Sequence, residues 1–257
     1  MSSYFRFKKY LSYQWQAKSK YYLHSPFAYQ FYLQVLSSAS SSSLAPVGRL
    51  REQLSNDNRT VCITDLGTGN ISSRTISSIE RNVAVRKKYG TLLYHVVRYF
   101  KSENILEIGT SIGLSSSYLA LANPAAKIIS LEGAAELIDI ARTNHAQLHI
   151  NNVEILPGNF NDTLSVAIQK LPRLDVVLFD GNHTREATLR YFQECLKHAH
   201  EHSVFIFDDI YWSEEMNEAW QEIKTNEKIT ITIDVYQYGI CFFVKEKLAK
   251  ENFVLRY

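Results

Sequence analysis

The sequence has 257 residues, of which 46% are hydrophobic and 21% charged, and its formal net charge is +2. A chain of this length can bury one sizeable core, so we expect one main domain with an appended helical segment. The near balance of charge gives no indication of a polyanionic partner, and nucleic acid is therefore not expected. No stretch approaches the roughly 20 apolar residues of a membrane span, and the N-terminus lacks the apolar core of a secretory signal. These features predict a soluble cytoplasmic protein without a membrane partner.

The first 36 residues are crowded with Tyr, Phe and Lys in patterns that are more helical than alternating. Ser25-Pro26 is typical of a helix start, since Ser25 can cap free N–H groups and proline suits the first turn. Basic residues interleaved with aromatic ones would also suit RNA or a membrane surface. We favour a helical extension that packs on the main domain or forms a homo-oligomer with a second copy of the chain.

A serine-rich stretch interrupts this extension. Residues 37–43 are nearly all serine, and Pro46 and Gly48 follow, so residues 37–48 are predicted to be a loop or linker. The predicted organisation is an N-terminal helical extension over residues 1–100 and a main domain over residues 101–257.

Three cysteines, Cys62, Cys195 and Cys241, are too far apart in sequence for a zinc or redox pair. Because each lies in an apolar strand-like or helical run, we expect three buried, reduced thiols.

From residue 104 onward, strand-like and helical patterns alternate, which predicts a parallel sheet with right-handed crossovers. The chain then closes differently, because a four-residue connection separates the last two strand patterns and forces an antiparallel hairpin. The predicted strands are 104–108, 127–131, 153–156, 174–179 and 204–207, the hairpin strands are 229–235 and 240–244, and the intervening helices are 115–122, 134–149, 162–170 and 186–198.

The first of these strands leads into a glycine turn. Residues 105–113 read Ile-Leu-Glu-Ile-Gly-Thr-Ser-Ile-Gly, which presents backbone N–H groups and a carboxylate where open α/β sheets bind cofactors. Gly109 and Gly113 lack the middle glycine of the dinucleotide motif, and no Walker lysine follows, so a dehydrogenase is the weakest alternative. A ligand without phosphates is favoured. A similar motif at residues 65–69 is a rival, but no strand ending in an acid follows it at the right spacing.

Acidic and polar residues at the strand ends suit the parts of such a ligand. Glu107 would attract an ammonium or sulfonium group, and Glu132, 19 residues beyond Gly113, suits a ribose diol. Asn159 and Phe160 follow the third strand and would offer an amide and an aromatic face to an adenine.

With these residues assembled, segment 104–245 resembles the class I S-adenosylmethionine-dependent methyltransferases. The resemblance depends on the pattern Glu107-x-Gly109-x-Ser111-x-Gly113, on Glu132 and on the terminal hairpin. It implies an α/β fold with a Rossmann-like sheet of seven strands and S-adenosylmethionine as cofactor. The residues that it marks for cofactor binding are Glu107, Gly109, Thr110, Ser111, Gly113, Glu132, Gly133, Asn159, Phe160 and Asp180.

Two further strands each end in aspartate. Asp180 follows the fourth strand and Asp208-Asp209 follows the fifth, 28 residues later, so adjacent strands would bring the three carboxylates together. Carboxylates this close repel one another unless a cation lies among them, and oxygen ligands favour Mg²⁺, Mn²⁺ or Ca²⁺. His183 is close enough in sequence to share the pocket, and its ordinary pKa suits a general base.

This constellation resembles the divalent-metal-dependent O-methyltransferases of the catechol, caffeoyl-CoA and macrocin type. The resemblance implies Asp180, Asp208 and Asp209 as metal ligands, Mg²⁺ as the favoured ion, and His183 with Asp180 as catalytic residues. The paired aspartates and His183 agree best with the macrocin-like members. Alternatively, Asp208 and Asp209 cap a turn and His183 starts a helix.

The implied activity is methyl transfer to a hydroxyl of a small molecule. Aromatic residues near the acids would form a wall for the acceptor, although core packing is an equal alternative for Trp220. Two other functions stay open: methylation of RNA or protein through the aromatic and basic N-terminus, and cofactor binding without catalysis. The candidate wall residues are Tyr211, Trp212, Trp220 and Tyr236.

Overall fold

A computed structural model describes residues 2–39, 41–64, 71–245 and 249–257. Ten α-helices and ten β-strands lie in these ranges, together with short 3-10 turns at Lys20–Tyr22 and Ser42–Leu44 and a π-helical turn at Tyr32–Leu36. The helices are α1 (Ser2–Gln16), α2 (Pro26–Phe31), α3 (Ala45–Ser55), α4 (Ile76–Asn82), α5 (Lys87–Phe100), α6 (Leu114–Ala122), α7 (Ala135–Gln147), α8 (Phe160–Gln169), α9 (Arg185–Leu196) and α10 (Glu214–Thr225). The strands are β1 (Thr60–Thr64), β2 (Ile71–Thr75), β3 (Asn104–Ile108), β4 (Lys127–Glu132), β5 (Val153–Pro157), β6 (Val176–Phe179), β7 (Val204–Phe207), β8 (Ile231–Asp234), β9 (Gly239–Phe242) and β10 (Glu251–Val254).

The chain forms two compact units. The first combines Met1–Ser37 with Arg173–Tyr257, and the second is Ser38–Pro172. None of the described helices has the length and hydrophobicity needed to cross a bilayer.

The second unit contains the glycine turn. Its strands β3, β4 and β5 pair in parallel, and β3 is buried throughout, as expected of an apolar strand covered on both faces. Helix α7 packs on β5 through a buried cluster of Ile138, Ala141 and Ile155. A separate antiparallel hairpin joins β1 to β2.

The first unit contains the strands that precede the aspartates. Its five strands lie in the order β10-β8-β9-β7-β6, in which β6 and β7 are parallel and β8 and β9 form the predicted antiparallel hairpin. The N-terminal helices pack within this unit. Phe27 and Phe31 contact the ring of Phe242 at centroid distances of 4.9 and 5.1 Å, and the Tyr13 hydroxyl donates to the Leu255 carbonyl at 2.7 Å.

Three predictions need correction. The described chain has eight strands outside the β1–β2 hairpin, not seven, because β10 pairs in parallel with β8. The predicted loop over residues 37–48 is shorter, since α3 starts at Ala45 with Pro46 in its first turn. Cys62 is exposed, because the two-stranded hairpin leaves one face of β1 uncovered, whereas Cys195 and Cys241 are buried as expected. The rival motif at residues 65–69 lies outside the described residues.

Candidate functional site

The glycine turn between β3 and α6 has three residues in the left-handed region. Their φ angles are 105° at Gly109, 49° at Ser111 and 78° at Gly113. Glycine adopts these angles at little cost, whereas at Ser111 the conformation has to be stabilised by its surroundings. The backbone N–H groups of Gly109 and Thr110 both donate to the Leu131 carbonyl at 3.0 Å. The turn is thereby fixed against the end of β4.

Glu107 is completely buried at the end of β3 and is only partly hydrogen-bonded. The Ser130 hydroxyl donates to its Oε2 atom, and the side chains of Ser115 and Ser116 lie near enough to lower its pKa. Within the described part of the chain, Oε1 is buried and makes no hydrogen bond of good geometry. The Ser111 hydroxyl oxygen is in the same condition. Burial raises the pKa of Glu107 to about 7. An orphaned acceptor of this kind is costly, and a bound ligand that donates a hydrogen bond or carries a positive charge would remove that cost.

Glu132 lies at the end of β4 and links the turn to the next helix. Its Oε2 atom accepts from the Ser111 N–H at 2.7 Å, and its Oε1 atom accepts from the Ala134 N–H at 2.9 Å. Burial raises the pKa of Glu132, against the opposing effect of these backbone donors. Each carboxylate oxygen has two lone pairs, so both oxygens keep capacity to accept from a ligand hydroxyl. Gly133, which follows, is half-buried.

The start of α8 lies beside Glu132. The Gly158 N–H donates to the Glu132 carbonyl at 2.9 Å, and Asn159 caps α8 by accepting from the Asn161 N–H at 2.9 Å. Phe160 is the first residue of α8 and is half-buried. The structure therefore brings Asn159 and Phe160 to the same side of the unit as Glu132, and their contact with an adenine stays a prediction.

Helix α7 supports the turn through two polar residues that the sequence reasoning missed. Asn144 donates from Nδ2 to the Ile112 carbonyl at 2.8 Å, and His145 Nε2 lies 2.9 Å from the Ser116 hydroxyl and 3.2 Å from the Gly113 carbonyl. Burial lowers the pKa of His145 to about 4, so the ring is neutral near pH 7. The available signal was a pair of polar residues on the apolar face of α7, three and four positions after Ala141.

The predicted aspartates come together at the ends of β6 and β7. The two strands pair in parallel with Phe179 opposite Phe207, and the Asp208 N–H donates to the Phe179 carbonyl at 2.9 Å. Asp180 and Asp208 are consequently neighbours, and their carboxyl groups share a hydrogen bond. Asp209 has a left-handed backbone with φ 53°, and its N–H donates to Asp208 Oδ1 at 2.8 Å.

The charged groups of this cluster affect one another's pKa. Burial, followed by repulsion from Asp209, raises the pKa of Asp208 to about 7. His183 Nε2 lies 3.6 Å from Asp180 Oδ1, and its side chain is 32% exposed. Burial lowers the pKa of His183, and attraction by Asp209 opposes this effect. Thr184 caps α9 by accepting from the Ala187 N–H at 3.4 Å, so His183 does not itself start the helix.

A metal ion is not prearranged in this cluster. Among the residues that the structure describes, no group of three or more His, Cys, Asp and Glu side chains is placed to hold one. The donor chemistry nevertheless fits a hard cation, because Asp180, Asp208 and Asp209 are carboxylates and one of them has a raised pKa.

Aromatic residues adjoin the cluster along the chain. Tyr211 hydrogen-bonds Asp234 and packs on Tyr236 at 5.7 Å between ring centroids. The guanidinium of Arg6, on α1, lies 4.5 Å from the ring centroid of Trp212. Trp220 is buried on α10 and belongs to the core, which is one of the two alternatives that the sequence left open for it.

Comparison with known proteins agrees with this geometry. Residues 106–210 match the sequence profile of a methyltransferase domain. No curated protein sequence matches the chain significantly.

Solved structures, several of them of O-methyltransferases, share the fold at low sequence identity. An O-methyltransferase from Bacillus cereus in complex with SAH is 20% identical with a TM-score of 0.57, over 84% of this chain and 96% of that one. Cofactor-bound Rv0187 from MTB is 18% identical with a TM-score of 0.59, over 86% and 98%. The O-methyltransferase TomG from Streptomyces achromogenes, involved in tomaymycin synthesis and in complex with SAM, is 18% identical with a TM-score of 0.57, over 84% and 95%. These likenesses show that the chain has the Rossmann-like α/β fold of such enzymes.

Proposed function

We propose that this protein, whose residues 106–210 match the profile of a methyltransferase domain, is an enzyme that transfers a methyl group from S-adenosylmethionine to a hydroxyl group of a small molecule. The main support for the proposal is the set of polar groups at the ends of β3 and β4. Glu107 Oε1 and Ser111 Oγ are buried there without a hydrogen bond of good geometry in the described part of the chain, and Glu132 keeps acceptor capacity. The catalytic domain would be residues 101–257, with residues 1–100 as its extension.

The residues fit S-adenosylmethionine by their chemistry. Glu107 would receive the cationic amino-acid end, and Gly109, Thr110, Ser111 and Gly113 would surround it with backbone. Glu132, helped by Gly133, would accept from the ribose hydroxyls, and Asn159 and Phe160 would contact the adenine. When bound, S-adenosylmethionine supplies an electrophilic methyl group.

His183 would act as the general base toward the acceptor. With its pKa lowered by burial, the neutral ring is present near pH 7 and Nε2 can take the proton of an acceptor hydroxyl. Asp180, whose Oδ1 atom lies 3.6 Å from Nε2, would stabilise the imidazolium that results. The His183 side chain is 32% exposed, so an acceptor can reach it.

We also propose that Asp180, Asp208 and Asp209 hold a divalent cation, with Mg²⁺ preferred because all three donors are oxygen atoms. The support for a cation is the electrostatic environment of Asp208. Asp208 is buried beside a second carboxylate and has a pKa raised to about 7, a condition that either a proton or a cation relieves. Binding the ion requires Asp208 to lose its proton and the hydrogen bond between Asp180 and Asp208 to be replaced.

A methyl-transfer assay with labelled S-adenosylmethionine tests the function. The protein is incubated separately with pools of hydroxylated small molecules, RNA and protein, and the labelled product is measured. We expect transfer to the small-molecule pool, and His183→Ala should lower the rate by about 10²-fold or more. His198→Ala, which changes an exposed histidine on the same unit, is the matched control and should leave the rate unchanged. Transfer only to RNA or protein would contradict the proposed acceptor class.

The metal is tested separately on the same reaction. Treatment with EDTA should abolish turnover and added Mg²⁺ should restore it, whereas Asp208→Asn with Asp209→Asn should abolish turnover without recovery. Asp139→Asn, at a surface position, is the control. Turnover that persists in EDTA and in the double variant would contradict the proposed metal site. It would leave the proposed binding of S-adenosylmethionine unaffected.

A further inference from the structure

Helix α1 has one face that packs within the first unit. The Tyr13 hydroxyl donates to the Leu255 carbonyl at 2.7 Å, and the Tyr236 hydroxyl donates to the Arg6 carbonyl at 3.3 Å. The rings of Tyr10 and Tyr236 make an edge contact at 5.2 Å. These contacts fix the rotation of α1 about its axis, so its opposite face is defined.

The opposite face exposes a stripe of large apolar side chains. Tyr4, Phe7, Leu11 and Trp15 are spaced three, four and four residues apart, which places them on one side of a helix. Their exposed fractions are 77%, 60%, 52% and 92%. Single exposed apolar residues are ordinary, whereas four large apolar side chains on one side of a helix form a candidate interaction surface. We call these four residues the α1 stripe.

The segment that contains the α1 stripe is basic. Residues 1–51 include no Asp or Glu, and Lys8 and Lys18 are exposed. Arg6 and Lys9 instead lie over aromatic rings on the packing side of α1. An anionic surface complements this charge, whereas a second copy of α1 would bring like charges together. The basic residues among residues 1–20 are Arg6, Lys8, Lys9, Lys18 and Lys20.

We propose that the α1 stripe docks on an anionic lipid surface, with α1 lying in the plane of the interface. Aromatic and leucine side chains would enter the boundary between headgroups and acyl chains, and the lysines would remain among the phosphates. Trp15 and Tyr4 suit this boundary because each combines an apolar ring with a polar group. This proposal departs from the expectation of no membrane partner, and it is independent of the proposed methyl transfer.

Vesicle sedimentation tests the docking. The full chain is mixed with vesicles of phosphatidylcholine containing phosphatidylglycerol, and with vesicles of phosphatidylcholine alone. We expect binding to the anionic vesicles only, decreasing as salt is added. Leu11→Ser with Trp15→Ser should lower the partition coefficient by about tenfold or more, since two large apolar contacts are lost. Ile71→Ser with Val166→Ser, which changes two exposed apolar residues outside α1, is the matched control and should bind like the wild type.

A blue shift of Trp15 fluorescence, obtained by subtracting the spectrum of Trp15→Phe, should accompany binding. Several results would overturn the proposal. One is equal binding by the wild type and the α1 variant, and another is no sedimentation with anionic vesicles. A dimer in light scattering that the α1 variant makes monomeric would assign the α1 stripe to a second copy. Binding of a single-stranded RNA without binding of vesicles would assign it to nucleic acid. Matching circular dichroism melts show that both variants fold.

Discussion

Gly113 provides the most direct mechanical test of the glycine turn. In Gly113→Ala, a non-glycine residue would have to adopt φ 78°, which costs roughly 1 kcal/mol. The added Cβ atom would lie 2.8 Å from His145 Nε2 and 3.1 Å from the Ala141 Cα atom, so the imidazole has to move. Breaking its 2.9 Å hydrogen bond with Ser116 costs about 1 kcal/mol more. We therefore expect the free energy of unfolding to fall by roughly 2 to 4 kcal/mol.

Gly48→Ala is the matched control, because it is also a glycine-to-alanine change in the second unit. No heavy atom lies within 4 Å of the Cβ position, and the residue is inside helix α3, so alanine should raise stability by up to about 1 kcal/mol. Urea unfolding followed by circular dichroism gives both values, and calorimetric titration gives the affinity for S-adenosylhomocysteine. If Gly113→Ala unfolds within about 0.5 kcal/mol of the wild type and keeps its affinity, the turn is not fixed as described.

Three further predictions concern titration, reactivity and a buried ion pair. Burial lowers the pKa of His145 from its ordinary 6.5 to about 4 in the folded protein. As the pH drops, the unfolded chain therefore binds a proton at this residue before the folded protein does. His145 consequently makes the free energy of unfolding decrease between about pH 6.5 and pH 4. His145→Gln should remove that contribution. The free energy of unfolding of the wild type and of the variant is measured at pH 7 and pH 5, and an equal decrease in both proteins would contradict the prediction. In the native protein one thiol, that of Cys62, should react with a disulfide reagent, and after unfolding all three thiols should react. Fast reaction of a second thiol in the native protein would contradict the burial of Cys195 and Cys241. Arg51→Ala should lower the free energy of unfolding by roughly 3 kcal/mol, because Glu80 is left buried without its partner at 2.7 Å. Lys170→Ala, which removes the exposed ion pair with Glu154, should lower it by no more than about 1 kcal/mol. Equal losses for the two variants in chemical denaturation would contradict this difference.

Much of the fold was predictable because its elements have local signals. The apolar runs at 104–108 and 204–207 give strands with the predicted bounds, and Ser25 caps α2 by accepting from the Ala28 N–H. Strand β10 had no such signal. It is short, only partly buried and defined by its pairing with β8, which is a long-range contact that sequence periodicity does not record. The exposure of Cys62 escaped for the same reason, since it depends on which sheet β1 joins.

The candidate site was predictable where strand ends determine it. Asp180 and Asp208 meet because parallel strands place their carboxyl ends together, a rule that needs no side-chain detail. The support of the turn by Asn144 and His145 was not predictable, because a polar residue on an apolar helix face has no fixed partner until the helix is packed. The orphaned oxygen of Glu107 likewise depends on the positions of all its neighbours.

We propose above that the ends of β3 and β4 bind S-adenosylmethionine. Isothermal titration of the protein with S-adenosylhomocysteine measures this without any acceptor. We predict saturable one-to-one binding, a loss of affinity of about tenfold or more in Glu132→Ala, and no change in Glu136→Ala, which alters an exposed acid in the first turn of α7. Absence of binding by the wild type, or equal affinity in Glu132→Ala, would contradict the account.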